Sequence, residues 1–154
     1  MSFSHVDDAG AARIVDVADK DVTVRTATAT GQVDLSAEVV ALLRSGEVAK
    51  GDVLAVARVA GIMAAKRTPD LIPLCHPIAV HGVTLDLDVV DAGVVVTATV
   101  RTADRTGVEM EALTAVTVAC LTVVDMTKAV DPRSVIGAIQ VESKTGGKTG
   151  SWQR

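Results

Sequence analysis

Asp125 and Lys128 stand three positions apart in VVDMTKAV, close enough on one helical turn for a carboxylate and an ammonium group to exchange a proton. An acid near a helix C-terminus is opposed by the helix dipole, whereas a cation there is favoured, so Asp125 needs compensation. Two further acids, Glu109 and Glu111, open the same run. No charge interrupts it between Glu111 and Asp125, which confines the polar groups to two ends about 21 Å apart at 1.5 Å per residue. One small-molecule site cannot use both ends of a single copy, but it can take one end from each of two chains. The plainer alternative is two unrelated surface ion pairs.

Cys75 and His76 lie in IPLCHP, a turn hemmed by Pro73 and Pro77. A metal set of Cys75, His76 and His81 is disfavoured, because adjacent side chains seldom converge on one ion and His81 falls in an alternating, strand-like run. The imidazole is then either a hydrogen-bonded structural group or a site group, and its neighbours decide which. Lysines and arginines collect in residues 44–67, including Lys50 and Lys66, and in residues 128–154, including Lys144 and Lys148. Both segments are net basic in a chain of net charge −4, as an anionic small molecule would require, although solvated surface charge explains scattered cases equally well. The tail KTGGKTG is not expected to be a P-loop: Glu142 stands where the first glycine belongs, and only a few residues lie between it and Arg154 where a P-loop would open a helix. It reads as a flap bringing Lys144 and Lys148 to an anion, or as a frayed end.

Elements must hold these groups in place. Residues 21–35 alternate β-branched and polar positions and predict a strand, broken near Gly31. Ser36 caps a helix to Arg44, and a second helix spans 52–67, with Ala and Gly on a face that permits close approach. Pro69, Pro73 and Pro77 break any longer helix. Strands at 78–90 and 93–102, joined by Asp91-Ala-Gly93, predict a hairpin, followed by a long helix over 108–130 and a last strand over 134–141. That order predicts an α+β fold, a mainly antiparallel sheet with helices on one face.

With 154 residues, 49% of them apolar, the chain is expected to form one domain over 1–154, with flexible ends at about 1–12 and 144–154. One Phe, one Trp and no Tyr leave nothing for base stacking, so a nucleic-acid partner is not expected. Two cysteines are too few for a disulfide framework and fit a reducing, cytoplasmic setting. No leader is evident, and no apolar stretch is expected to reach the ~18 residues of a membrane span.

Taken together, the segments IVDVADKDVTVRTA at 14–27, KGDVLAVARVAGIMAAKRTPDLIPLCHP at 50–77, RTGVEMEALTAVTVACLTVVDMTKAV at 105–130 and KTGGKTG at 144–150 resemble the cyclic pyranopterin monophosphate synthase family of molybdenum cofactor biosynthesis. The resemblance covers essentially the whole chain and departs only in minor places such as Pro69. It implies a ferredoxin-like subunit, an inter-subunit site and a hexamer built as a trimer of dimers. It also implies a lyase that converts (8S)-3′,8-cyclo-7,8-dihydroguanosine 5′-triphosphate to cyclic pyranopterin monophosphate and pyrophosphate. Carried over by position, the catalytic groups are Asp125, Lys128 and Lys50. Leu74, Cys75, His76, Met110 and Glu111 become substrate contacts, and Glu109, Asp16, Arg25, Lys66, Lys144 and Lys148 become further polar positions of the pocket. No resident metal or cofactor is implied, and Mg2+ arriving with the triphosphate is left open. The competing expectation is a non-catalytic oligomeric module that binds an anionic nucleotide; it needs the lysines but not Asp125, whose charge repels such a ligand.

Overall fold

In the computed structural model, which describes residues 5–148 and 150–154, the chain is built around β1 (Thr23–Asp34), the middle strand of its sheet. Its inward row is Ala27, Ala29, Gly31 and Val33, and these small residues leave room for a helix to lie directly on the sheet. Gly31 does not break the strand. A Cβ there would stand 2.5 Å from Val116 Cγ1 of the overlying helix, so its lack of a side chain sets the approach distance.

Helix α1 (Ala37–Ser45) starts at Ser36, whose hydroxyl accepts from the Val39 N–H, and ends at Gly46 in the left-handed region. Helix α2 (Val53–Ala65) is capped by Asp52 in the same way. A one-turn helix α3 (Thr68–Leu71) follows where only helix breaking was expected: Pro69 falls in its first turn, the one place where a missing N–H costs nothing. Strands β2 (Gly82–Val90) and β3 (Gly93–Asp104) form the expected hairpin. β2 begins four residues later than expected, leaving His81 just outside it, although the His81 N–H still bonds the Arg101 carbonyl. Helix α4 (Glu109–Thr127) stops before Lys128, and β4 (Val135–Thr145) runs beyond the expected Val141. A short β5 (Trp152–Gln153) returns the tail along β4, so the segment expected as a flap from residue 144 is partly paired; Thr149 lies outside the described residues, as do residues 1–4.

All neighbouring strands are antiparallel, in the order β2-β3-β1-β4-β5. The four long strands, numbered by their succession, thus lie in the ferredoxin-like order, and α2 and α4 cover one face. Helices α2 and α4 meet through small residues. A Cβ at Gly61 would come within 2.8 Å of the Ala115 carbonyl and 2.3 Å of Leu85 Cδ1. By length and composition α4 could cross a membrane, contrary to expectation, because a window of 18 residues tolerates the acids at its ends. Here it is the central core helix, with Ala112, Ala115, Val116, Ala119, Cys120 and Val123 fully buried.

Residues 5–20, before β1, form an irregular strap. Asp7 Oδ1 accepts from the N–H groups of Ala9 and Ala11, the Arg13 N–H bonds the His5 carbonyl, and Val6 bridges Ala12.

Candidate active site

The two ends of α4 carry two separate polar constellations. At the C-terminal end, Lys128 Nζ lies 2.6 Å from Asp125 Oδ1. Lys50, on the turn before α2, donates to the main-chain carbonyl of Asp125 at 2.7 Å and stands 3.7 Å from its Oδ2. That carbonyl is one of the last four of the helix, which have no intrahelical partner, so Lys50 completes the helix end while it flanks the carboxylate. The hydrogen bond and charge of Lys128, with the charge of Lys50, hold the Asp125 carboxyl below the usual carboxylate range, which offsets its poor placement against the dipole. The cluster is open to solvent, with the Asp125 side chain 61% exposed. Beyond it, buried Asp131 accepts from the N–H groups of Ser36 and Arg133, fastening the chain after α4 to the start of α1. Those two backbone bonds hold its carboxyl below the ordinary range.

At the N-terminal end lies a cavity of about 360 Å³ lined by Leu74, Cys75, His76, Glu109, Met110 and Glu111. The expected contacts are therefore brought together, from the proline-bounded turn and the first turn of α4. His76 Nε2 lies 2.6 Å from the Val15 carbonyl. A carbonyl can only accept, so Nε2 carries a proton and donates, leaving Nδ1 outside this bond. Glu111 is 3% exposed. Burial, with a smaller push from the charge of Glu109, raises its carboxyl to about 7 against the pull of its own backbone N–H. Burial, then the nearby Glu111 charge, pushes the Cys75 thiol up, so it is not an activated thiolate.

Beside the cavity, Lys144 of β4 pairs with Glu109 at 2.9 Å in a crevice that also holds Arg25, whose Nε donates to the Asp104 carbonyl. The Glu109 carboxylate folds back over Gly107, where a Cβ would sit 2.0 Å from Oε2, so a side chain there would push the carboxylate away from its present place. A second cavity, about 490 Å³, shares Val15, Val17, His76 and Thr106 with the first and includes Asp16. Lys66, at the end of α2, and Lys148 are exposed and line neither the main cavity nor the lysine–aspartate cluster. Among the described residues, no three His, Cys, Asp or Glu side chains converge as a metal set. The sequence reasoning passed over His5 and Lys20, which the strap brings to the cavity; nothing periodic marks that segment, and only its place in the matching IVDVADK block could have drawn attention to Lys20.

The buried acid gives a pH-dependent stability. Because the folded-state value of Glu111 lies above the ordinary 4.5, its burial is harmless while it is protonated and costs stability as pH rises from about 4.5 through about 7. Glu111→Gln is therefore expected to raise stability at pH 8 by about 2 kcal/mol, a figure reduced for the solvent at the cavity mouth, and to change it little at pH 5. Denaturant midpoints at the two pH values check this; equal effects at both would contradict the assignment.

Comparison with known proteins follows the same blocks. The MoaC family model matches residues 14–147. A cyclic pyranopterin monophosphate synthase of Streptomyces coelicolor is 68% identical over 152 residues, covering 99% of this chain and 89% of that protein. Cyclic pyranopterin monophosphate synthase 2 of Mycobacterium tuberculosis is 59% identical over 99% of this chain and 91% of its own length. A cyclic pyranopterin monophosphate synthase of Desulfitobacterium hafniense is 52% identical over 100% of this chain and 95% of its own length. A family match across both polar constellations, with full-length relatives at this identity, places the chain in the MoaC family.

Proposed function

We propose that this chain converts (8S)-3′,8-cyclo-7,8-dihydroguanosine 5′-triphosphate to cyclic pyranopterin monophosphate and pyrophosphate. The observation that carries the reading is the meeting of Lys50, Asp125 and Lys128, drawn from two distant segments into one cluster. The relatives' name supplies the product. Rebuilding a purine-derived ring needs proton transfers, and closing the cyclic phosphate needs a ribose hydroxyl to attack the α-phosphorus as the bond to the β-phosphate oxygen breaks. Asp125 keeps its charge at neutral pH, so it accepts a proton or holds the two ammonium groups in line, and the lysines supply protons and neutralise developing phosphate charge.

In the cavity, Glu111 and His76 Nδ1 orient the base and ribose, with Leu74, Cys75 and Met110 as packing contacts. Arg25, Lys66, Lys144 and Lys148 serve the triphosphate, and Asp16 completes the polar rim. Glu109 holds Lys144 until an anion competes for it. Mg2+ in this scheme belongs to the triphosphate and arrives with it.

The two constellations lie at opposite ends of one helix, whose middle is packed in the core. A working site therefore combines the cavity of one copy with the lysine–aspartate cluster of another. A second copy has a surface to meet: Val56, Val59 and Met63 project from α2 at helical spacing and, with Leu71 and Leu121, are exposed apolar groups. We take the assembled state to be the hexamer of three dimers, in a cytoplasmic setting that suits the free thiols Cys75 and Cys120.

Incubation with the cyclic triphosphate tests the reading by release of pyrophosphate and a product of the mass of the cyclic monophosphate. Binding without turnover would favour the non-catalytic module instead. Cys75→Ser is expected to keep turnover within about tenfold, because a protonated thiol in a contact role loses little when the sulfur is replaced by oxygen. Loss of all turnover with binding intact would make the thiol a participant.

A further inference from the structure

Among the described residues, two hydrogen bonds join the strap of residues 5–20 to the rest of the chain. One is the His76 Nε2 donation to the Val15 carbonyl at 2.6 Å; the other is the Arg105 Nε donation to the Lys20 carbonyl at 2.9 Å. The strap's other hydrogen bonds are local, among them those Asp7 Oδ1 accepts from the N–H groups of Ala9 and Ala11, that Asp16 Oδ1 accepts from the Ala18 N–H, and those the N–H groups of Arg13 and Lys20 donate to the His5 and Val17 carbonyls. Such bonds shape the strap but do not fix where it lies. Its location matters, because Val15, Val17, His5 and Lys20 form one wall of the cavity.

His76 is well placed to act as an anchor. Its backbone sits between Pro73 and Pro77, and the Cys75 N–H closes a turn onto the Ile72 carbonyl, so the ring projects from a segment with little freedom of its own. Because a carbonyl can only accept, Nε2 is the donor in the bond to Val15.

We propose that His76 is a positioning residue that ties the strap across the cavity through the Val15 carbonyl, with Arg105 tying the end that leads into β1. This rests on the cavity being the substrate site, and it gives His76 a task beyond any contact of its Nδ1 with substrate. An unanchored strap withdraws a wall of the cavity and leaves the lysine–aspartate cluster untouched. Its loss should therefore be read as weaker binding.

The strap contains two trypsin sites, Arg13 and Lys20. Cleavage there needs a stretch of several residues to leave the body of the protein, so its rate reports the anchors without any substrate. His76→Ala is expected to raise the initial cleavage rate at these bonds at least fivefold. His76→Gln, whose amide nitrogen can take the place of Nε2 but which has no counterpart of Nδ1, should return the rate to within twofold of the parent. Arg105→Ala serves as a second variant, since its side chain lines only the outer cavity. It should speed cleavage as well, and raise KM for the cyclic triphosphate severalfold with kcat within twofold. An unchanged cleavage rate in His76→Ala, equal sensitivity of His76→Gln and His76→Ala, or an unchanged KM in Arg105→Ala would overturn the proposal. Should the parent protein show no turnover, the proposed reaction fails, whereas the cleavage comparison still decides the tether.

Discussion

Asp125→Asn is expected to lower turnover by roughly 10²- to 10⁴-fold while leaving the fold intact. The amide keeps the size and the hydrogen-bonding reach of the carboxylate but not its charge, so it can neither accept a proton nor hold two ammonium groups. The side chain is largely exposed at the end of α4 and the core lies elsewhere, so unfolding is not the route to inactivity. The main-chain bond from Lys50 to the Asp125 carbonyl survives the substitution, which keeps the helix end closed. Lys128→Ala should fall into the same range, since Lys50 alone cannot both flank the carboxylate and replace the missing donor. Release of pyrophosphate from the cyclic triphosphate measures both. Near-parental rates in either variant, with circular dichroism unchanged, would remove the cluster from the chemistry.

Much of the fold was legible because local signals and burial agree. Ser36 caps α1 as its hydroxyl and the following apolar spacing predict, and Asp91-Ala-Gly93 turns the β2–β3 hairpin. What escaped notice depends on partners distant in sequence. β5 exists because Trp152 and Gln153 find the edge of β4, which no pattern in the tail announces. β4 carries one register shift before Val141, opposite Thr30–Gln32 with Ala138 in the left-handed region, and another just after it, opposite Thr28–Ala29, and such bulges erase the alternation that marks a strand. α3 was hidden by Pro69, a residue read as a breaker that is tolerated in a first turn.

The candidate site divides in the same way. The acid and lysine at the end of α4 can be read from their spacing, and the charge-free middle of that helix implies two separated ends. Lys50 could be placed beside Asp125 only through family resemblance, because the two are joined by tertiary packing alone. The strap was illegible because its anchors are side chains donating to the carbonyls of Val15 and Lys20, and every residue has a carbonyl whatever its side chain. The raised carboxyl of Glu111 could not be read either: first-turn acids are ordinary at a helix start, and only its burial makes this one unusual.

A site shared between two copies, as proposed above, has the second large consequence. Glu111 lines the cavity and Asp125 belongs to the cluster about 21 Å further along the same helix, at 1.5 Å per residue. If both act on one substrate, they come from different chains, and the defects of Glu111→Ala and Asp125→Ala can be sorted apart. In a dimer with one chain of each kind, one site inherits both substitutions and the other neither. Random equal mixing makes about half of the dimers mixed, each with one intact site of two, so activity should return to about a quarter of the parental rate. Pyrophosphate release should be measured on the two inactive variants alone and after subunit exchange, with native mass spectrometry verifying that mixed assemblies formed. Recovery near a quarter is the result expected of a site built from two chains; no recovery from proven mixed assemblies would mean that each site belongs to a single chain.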